Sequence, residues 1–190
     1  MGVVAFAGSR SLGAAFAPLV GSAVGSVLAS GRSVSVGCCV GLDAAVLSAL
    51  ASLAPLRGSC FAAFGSGGVG SCSLSAVGAV SAFASAGGSV SFWAGGGADV
   101  ALPVRLAARS SAVIAAASVS TVVFFSSPSS VGSLLACRLA VGRGLPVFAF
   151  ACGFPASSLP LPAPGSWVTA SASGLWSSAF RFIPASLSLF

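Results

Sequence analysis

With 190 residues, the chain is long enough for a single domain with a real core; it carries a net charge of +6, is 56% hydrophobic and only 5% charged. It has no His, Tyr, Lys, Glu, Asn or Gln, so acid–base chemistry is left with two aspartates and six cysteines, and binding is favoured over catalysis.

The bias has a pattern. Ala, Val, Gly, Ser, Leu, Phe, Pro, Arg, Cys and Trp can all be encoded without adenine, and only Met1, Asp43, Asp99, Ile114, Thr121, Thr169 and Ile183 fall outside that set. Surface positions ordinarily held by Lys, Glu, Asn and Gln must then be Ser, Gly, Ala or Arg, so high hydropathy argues less for a membrane than it usually does. The long uncharged stretches 11–31, 58–98 and 110–137 are broken throughout by Gly and Ser, and no membrane span is expected. The start of the sequence lacks a basic region ahead of an apolar one, which points to a cytoplasmic protein. Cys38, Cys39, Cys60, Cys72, Cys137 and Cys152 show no CxxC spacing and have no His beside them, so they are expected to be reduced and mostly buried, with no metal and no cofactor. All positive charge is arginine, at 10, 32, 57, 105, 109, 138, 143 and 181, which suits an anionic partner and leaves a homo-oligomer open.

Along the chain, short apolar runs alternate with helical-length segments. A first strand at 3–7 ends in Gly8-Ser9-Arg10, where glycine permits close approach, serine offers a hydroxyl and arginine can fork onto a phosphate. After a helix at 11–30 and a strand at 33–37, the loop Gly37-Cys38-Cys39-Val40-Gly41-Leu42 leads to Asp43 at the start of a helix at 43–54. Asp43 is either an N-cap or a ligand group. A strand at 59–64 runs into Gly65-Ser66-Gly67-Gly68, whose backbone can offer N–H groups to an anion. A helix at 73–86, a strand at 89–93 and a helix at 99–117 carrying Arg109 follow. The strand at 121–126 opens into Ser126-Ser127-Pro128-Ser129-Ser130-Val131-Gly132-Ser133 and a helix at 130–142, a natural anion site at a helix start. A strand at 146–151 completes six strands and five crossovers. The alternation predicts an α/β fold: a doubly wound, mostly parallel six-stranded sheet with helices on both faces. Residues 1–153 are read as this domain, and 154–190 as a proline-rich linker and an aromatic appendage whose Trp167, Trp176, Phe180 and Phe182 either pack back on it, the favoured reading, or face a partner or membrane surface.

The ordered set Ala5-Phe6-Ala7-Gly8-Ser9-Arg10, Gly41-Leu42-Asp43-Ala44-Ala45, Phe64-Gly65-Ser66-Gly67, Gly132 through Ala140 and Gly142-Arg143-Gly144-Leu145-Pro146-Val147-Phe148-Ala149 resembles the DNA-processing protein family DprA (Smf). The wider SLOG superfamily fits nearly as well, and the resemblance covers about residues 3–153. It implies a Rossmann-like domain whose pocket over Gly8, Ser9, Arg10, Gly41, Asp43, Gly65, Ser66, Gly67, Gly132 and Ser133 binds a nucleotide or single-stranded nucleic acid. Arg109 is added as a phosphate contact and Ser129 as a loop contact. Arg109-Ser110-Ser111 departs from the Arg-Asn-Arg run typical of DprA, and the Pro-Gly-Gly-x-Gly-Thr loop and glutamate of the superfamily's phosphoribohydrolases are missing. Two other readings stay open: a nucleotide-processing enzyme in which Asp43 positions water or a ribose hydroxyl, and a small membrane or interaction protein.

Overall fold

A computed structural model describes residues 2–71 and 73–185, which form one sheet of eight strands with five α-helices. The strands are β1 (Val3–Gly8), β2 (Ser33–Val36), β3 (Gly58–Phe61), β4 (Ser89–Ser91), β5 (Ser120–Phe125), β6 (Val147–Ala151), β7 (Gly165–Thr169) and β8 (Ala179–Pro184). The helices are α1 (Ala17–Ala29), α2 (Leu42–Leu53), α3 (Leu74–Ser85), α4 (Leu102–Ala116) and α5 (Val131–Gly142).

The sheet order is β4-β3-β2-β1-β5-β6-β8-β7; the first six strands are mutually parallel, whereas β8 runs antiparallel to both β6 and β7. The sequence predicts six strands; the sheet has eight and is mixed. Both extra strands lie in the tail, beyond the proline-rich stretch, where Phe180 and Phe182 alternate with an exposed Arg181 as a strand pattern demands. The tail aromatics pack on the core. Trp176 lies 5.8 Å from both Phe148 and Phe150 and donates its indole N–H to Ser26 Oγ at 3.1 Å, while Trp167 meets Phe182 at 5.3 Å.

Period-2 alternation sorts the core into two layers. Val4 and Phe6 of β1, with Val122 and Phe124 of β5, pack with α1, α2 and α3, whereas Ala5, Val123 and Phe125 pack with α4 and α5. Helices therefore cover both faces. All six residues of β5 are buried, which explains its unbroken apolar run, and Phe124 stacks on Phe150 at 4.6 Å. Helix starts fall later than the expected positions 11 and 99: a short 3-10 turn at Ala14–Phe16 precedes α1, and Pro18 and Pro103 sit in the first turns of α1 and α4.

From β1 the chain steps outward through β2 and β3 to β4, and α4 then carries it back to the other side of β1, where β5 begins. The connections after β1 and β5 thus leave in opposite directions, opening a crevice at the carboxyl ends of those two strands. Among the described residues, no helix is long and apolar enough to cross a membrane.

Candidate functional site

A cleft of about 710 Å³ occupies that crevice. Gly8, Ser9 and Arg10 come from the end of β1, Ser130 to Ser133 from the start of α5, Cys39 from the β2–α2 connection, Asp43 from the first turn of α2, and Leu102, Pro103, Leu106 and Arg109 from α4.

Parallel pairing of Gly8 with Phe124 sets the two main loops side by side, and the Ser9 amide donates to the Phe124 carbonyl at 3.0 Å. The Ser9 hydroxyl then joins them. Ser133 Oγ donates to the Phe124 carbonyl at 3.3 Å, so it accepts from Ser9 at 3.2 Å, and Ser130 in turn donates to Ser9 at 2.7 Å. The Ser126 amide also donates to Ser9 Oγ, at 3.0 Å. With one proton given and two received, the Ser9 hydroxyl is saturated, and its role is to hold the β1 and β5 loops together. The groups left for a ligand are different. Arg10 is exposed and its guanidinium makes no hydrogen bond among the described residues. The first-turn N–H groups of α5 lie at the cleft, and Ser130 makes no side-chain cap to them.

Gly41 has φ 73°, and a Cβ there would lie 2.4 Å from the Arg10 carbonyl oxygen, so only glycine lets the β2–α2 connection run under the β1 loop. Asp43 follows within the first turn of α2. It does not cap the helix with its side chain; its Oδ2 accepts the Cys39 amide at 2.9 Å and pairs with Arg109 Nη1 at 3.2 Å. Arg109 Nη2 also donates to Cys39 Sγ at 3.1 Å. Glycine at 37 makes room for this pair, since a Cβ there would fall 1.6 Å from Arg109 Nη1. Burial pushes the Asp43 carboxyl above its usual range, opposed by Arg109 and the Cys39 amide. Burial works against the Arg109 cation, but Asp43 and the neighbouring thiols outweigh it, so Arg109 titrates above an ordinary arginine. The adjacent Cys38 and burial hold the Cys39 thiol well above its ordinary range, so it stays protonated at neutral pH.

The cleft thus gathers Gly8, Ser9, Arg10, Asp43, Arg109, Gly132 and Ser133, with Gly41 packed beneath the β1 loop. Arg109 lines the cleft as half of an ion pair, with both terminal nitrogens engaged. Ser129 stands outside it, exposed and bonded to Ser127 Oγ at 3.1 Å. Gly65, Ser66 and Gly67 are elsewhere. Their loop folds on Trp93, which packs against Gly65; Arg105 lies 5.1 Å from the Trp93 ring and donates to the Ala63 and Gly70 carbonyls at 2.7 and 3.1 Å. Trp93 is thereby committed to Arg105. Sequence reasoning passed over Arg105 and Ser130. The first had a signal: Arg105 and Arg109 are four apart on one helix, which puts both on the same inward face.

Among the described residues no three His, Cys, Asp or Glu side chains gather as a metal site. A scan against protein-family models returns no match, and a search of curated proteins finds none significantly similar.

Proposed function

We propose that this is a nucleotide- or single-strand-binding protein of the DprA/SLOG type, with a Rossmann-like domain that receives phosphate in the cleft between the β1 and β5 loops. One observation carries the reading: Arg10 and the first turn of α5, a cation and a set of N–H groups that have no hydrogen-bond partner among the described residues, open on one cleft at the point where the strand order reverses. The apolar wall of Leu102, Pro103 and Leu106 gives a base a surface to lie on.

A nucleotide-processing enzyme is the second reading, because Asp43 lines the cleft and its Oδ1 has no hydrogen-bond partner among the described residues. Turnover of a nucleoside phosphate that disappears in Asp43→Asn favours it over binding alone.

Native mass spectrometry of the purified chain looks for co-purified nucleotide or oligonucleotide, and titration with adenosine 5′-monophosphate then tests the cleft. Arg10→Ala is expected to weaken binding by about 1.5–3 kcal/mol, the scale of a hydrogen bond to a charged group. Arg143→Ala, beyond the far end of α5, is expected to leave affinity unchanged. Equal losses from the two variants overturn the reading, because the arginines then supply only diffuse charge.

A further inference from the structure

We infer that the opposite end of the sheet is a second anion surface, separate from the cleft and fitted to the phosphate backbone of a nucleic acid. Arg32 immediately precedes β2, Arg57 immediately precedes β3, and Arg143 lies in the connection from α5 to β6. In a parallel sheet all three stand at the amino ends of the strands. Both aspartates lie at the other end, Asp43 after β2 and Asp99 between β4 and α4. The cleft end holds Arg10, Arg105 and Arg109, but the last two are buried, so its exposed charges are Arg10 and Asp99 and they balance. The amino end has three arginines and no acid. Arg32 and Arg143 are exposed and Arg57 is half-buried.

Strand order sets β3 beside β2, so Arg57 stands next to Arg32, while Arg143, at the carboxyl end of α5, lies at the same end of the sheet on the β6 side of β1. Cations spread over one end of the sheet with no acid among them match an extended polyanion, whose single strand carries a charge about every 3.4 Å. Two of the three are also anchored: Arg57 donates to the Arg32 carbonyl and Arg143 to the Ile114 carbonyl. Each guanidinium keeps further N–H groups in its fork for phosphate oxygens, and less side-chain freedom is lost on binding. The surface reads charge and not base sequence, because no aromatic stands among these arginines in the chain.

The test is fluorescence anisotropy of a labelled oligothymidylate of about 16 nucleotides with the full chain, at about 50 and 200 mM salt. Arg32→Ala/Arg143→Ala is compared with Arg138→Asp, which removes the same two units of charge from the exposed side of α5 and leaves Arg181, opposite Phe148 near the amino end of β6, in place, and thermal melts check each fold. The first double is expected to weaken binding about 10-fold and to lower the log–log salt slope by about 1.4, or 0.7 for each phosphate contact removed. Arg138→Asp is expected to change affinity less than about twofold. Should the first double fail to fold, Arg32→Ala alone carries the test, because its side chain makes no hydrogen bond among the described residues. Equal losses from both variants overturn the inference, as does a loss seen only with Arg10→Ala, which would move the strand into the cleft. Binding to phosphatidylserine vesicles instead of the oligonucleotide, abolished by Leu56→Ser at the exposed leucine beside Arg57, also overturns it and makes the surface a bilayer contact.

Discussion

The loop after β1 and the loop after β3 look alike as sequence, Gly8-Ser9-Arg10 against Gly65-Ser66-Gly67, yet they do opposite things. The first lies against β5 and α5 at the point where the strand order reverses, and it leaves a free arginine at a cleft. The second folds on Trp93 under Arg105 and does not line that cleft. Glycine and serine make close approach possible; strand order decides what is approached. The two inward-facing arginines of α4 divide in the same way, Arg109 bracing the cleft and Arg105 the β3 loop.

This contrast is most severely tested at Asp43. Asp43→Ala leaves the Arg109 cation buried without its partner and is expected to cost about 3–5 kcal/mol in denaturant unfolding, because an uncompensated buried charge is far costlier than a lost pair. Replacing both residues with apolar ones of similar size, Asp43→Leu with Arg109→Met, is expected to recover most of that loss. If the double is as unstable as the single, the pair is not what braces the cleft. Arg105→Ala comes next. It removes a cation–π contact and two charge-assisted hydrogen bonds, for an expected cost of about 2–3 kcal/mol. It is expected to speed amide exchange at Gly65–Gly70 while nucleoside monophosphate affinity stays within about twofold of wild type. A large loss of affinity would join the two regions into one site.

The smallest effect is one of pH, and it spans both regions. Burial pushes the thiols of Cys60 on β3 and Cys137 on α5 up to about 12, from an ordinary 9.0. Below about 9 both thiols are protonated in the folded and unfolded chains, and their contribution is intact. As pH rises further the unfolded chain releases protons that the folded chain retains, so stability falls from about pH 9 towards 12. Cys60→Ala and Cys137→Ala are each expected to flatten that slope in urea titrations at pH 8, 9 and 10. A slope unchanged in both variants assigns the alkaline loss to other groups.

Much of this architecture is legible in the sequence because β1, β5 and β6 are central parallel strands, and burial on both faces turns them into unbroken apolar runs. The proline-rich stretch hides β7 and β8. It sets them apart from the alternation of strands and helices, and β7 is mostly exposed, so the brief Phe180-Arg181-Phe182 alternation reads as part of an appendage. The loops after β1 and β5 are legible singly as candidate anion loops, from glycine, serine and a helix start. Their meeting is not, because no local pattern tells that α4 returns the chain to the far side of β1. The Asp43–Arg109 pair joins residues 66 apart, and periodicity places each on a helix but not opposite the other. Ser9 offered a hydroxyl in the sequence; only its three partners turn it from a ligand group into a tie between loops.

The most direct test of the cleft as the nucleotide site is amide chemical-shift mapping of the isotopically labelled chain during titration with nucleoside 5′-monophosphates. Shifts are expected at Gly8 to Ser11 and Ser130 to Ser133, saturating together, with Gly65 to Gly70 unmoved. Saturable shifts centred on Gly65 to Gly70, or none at either loop with any of the nucleotides, would contradict the assignment.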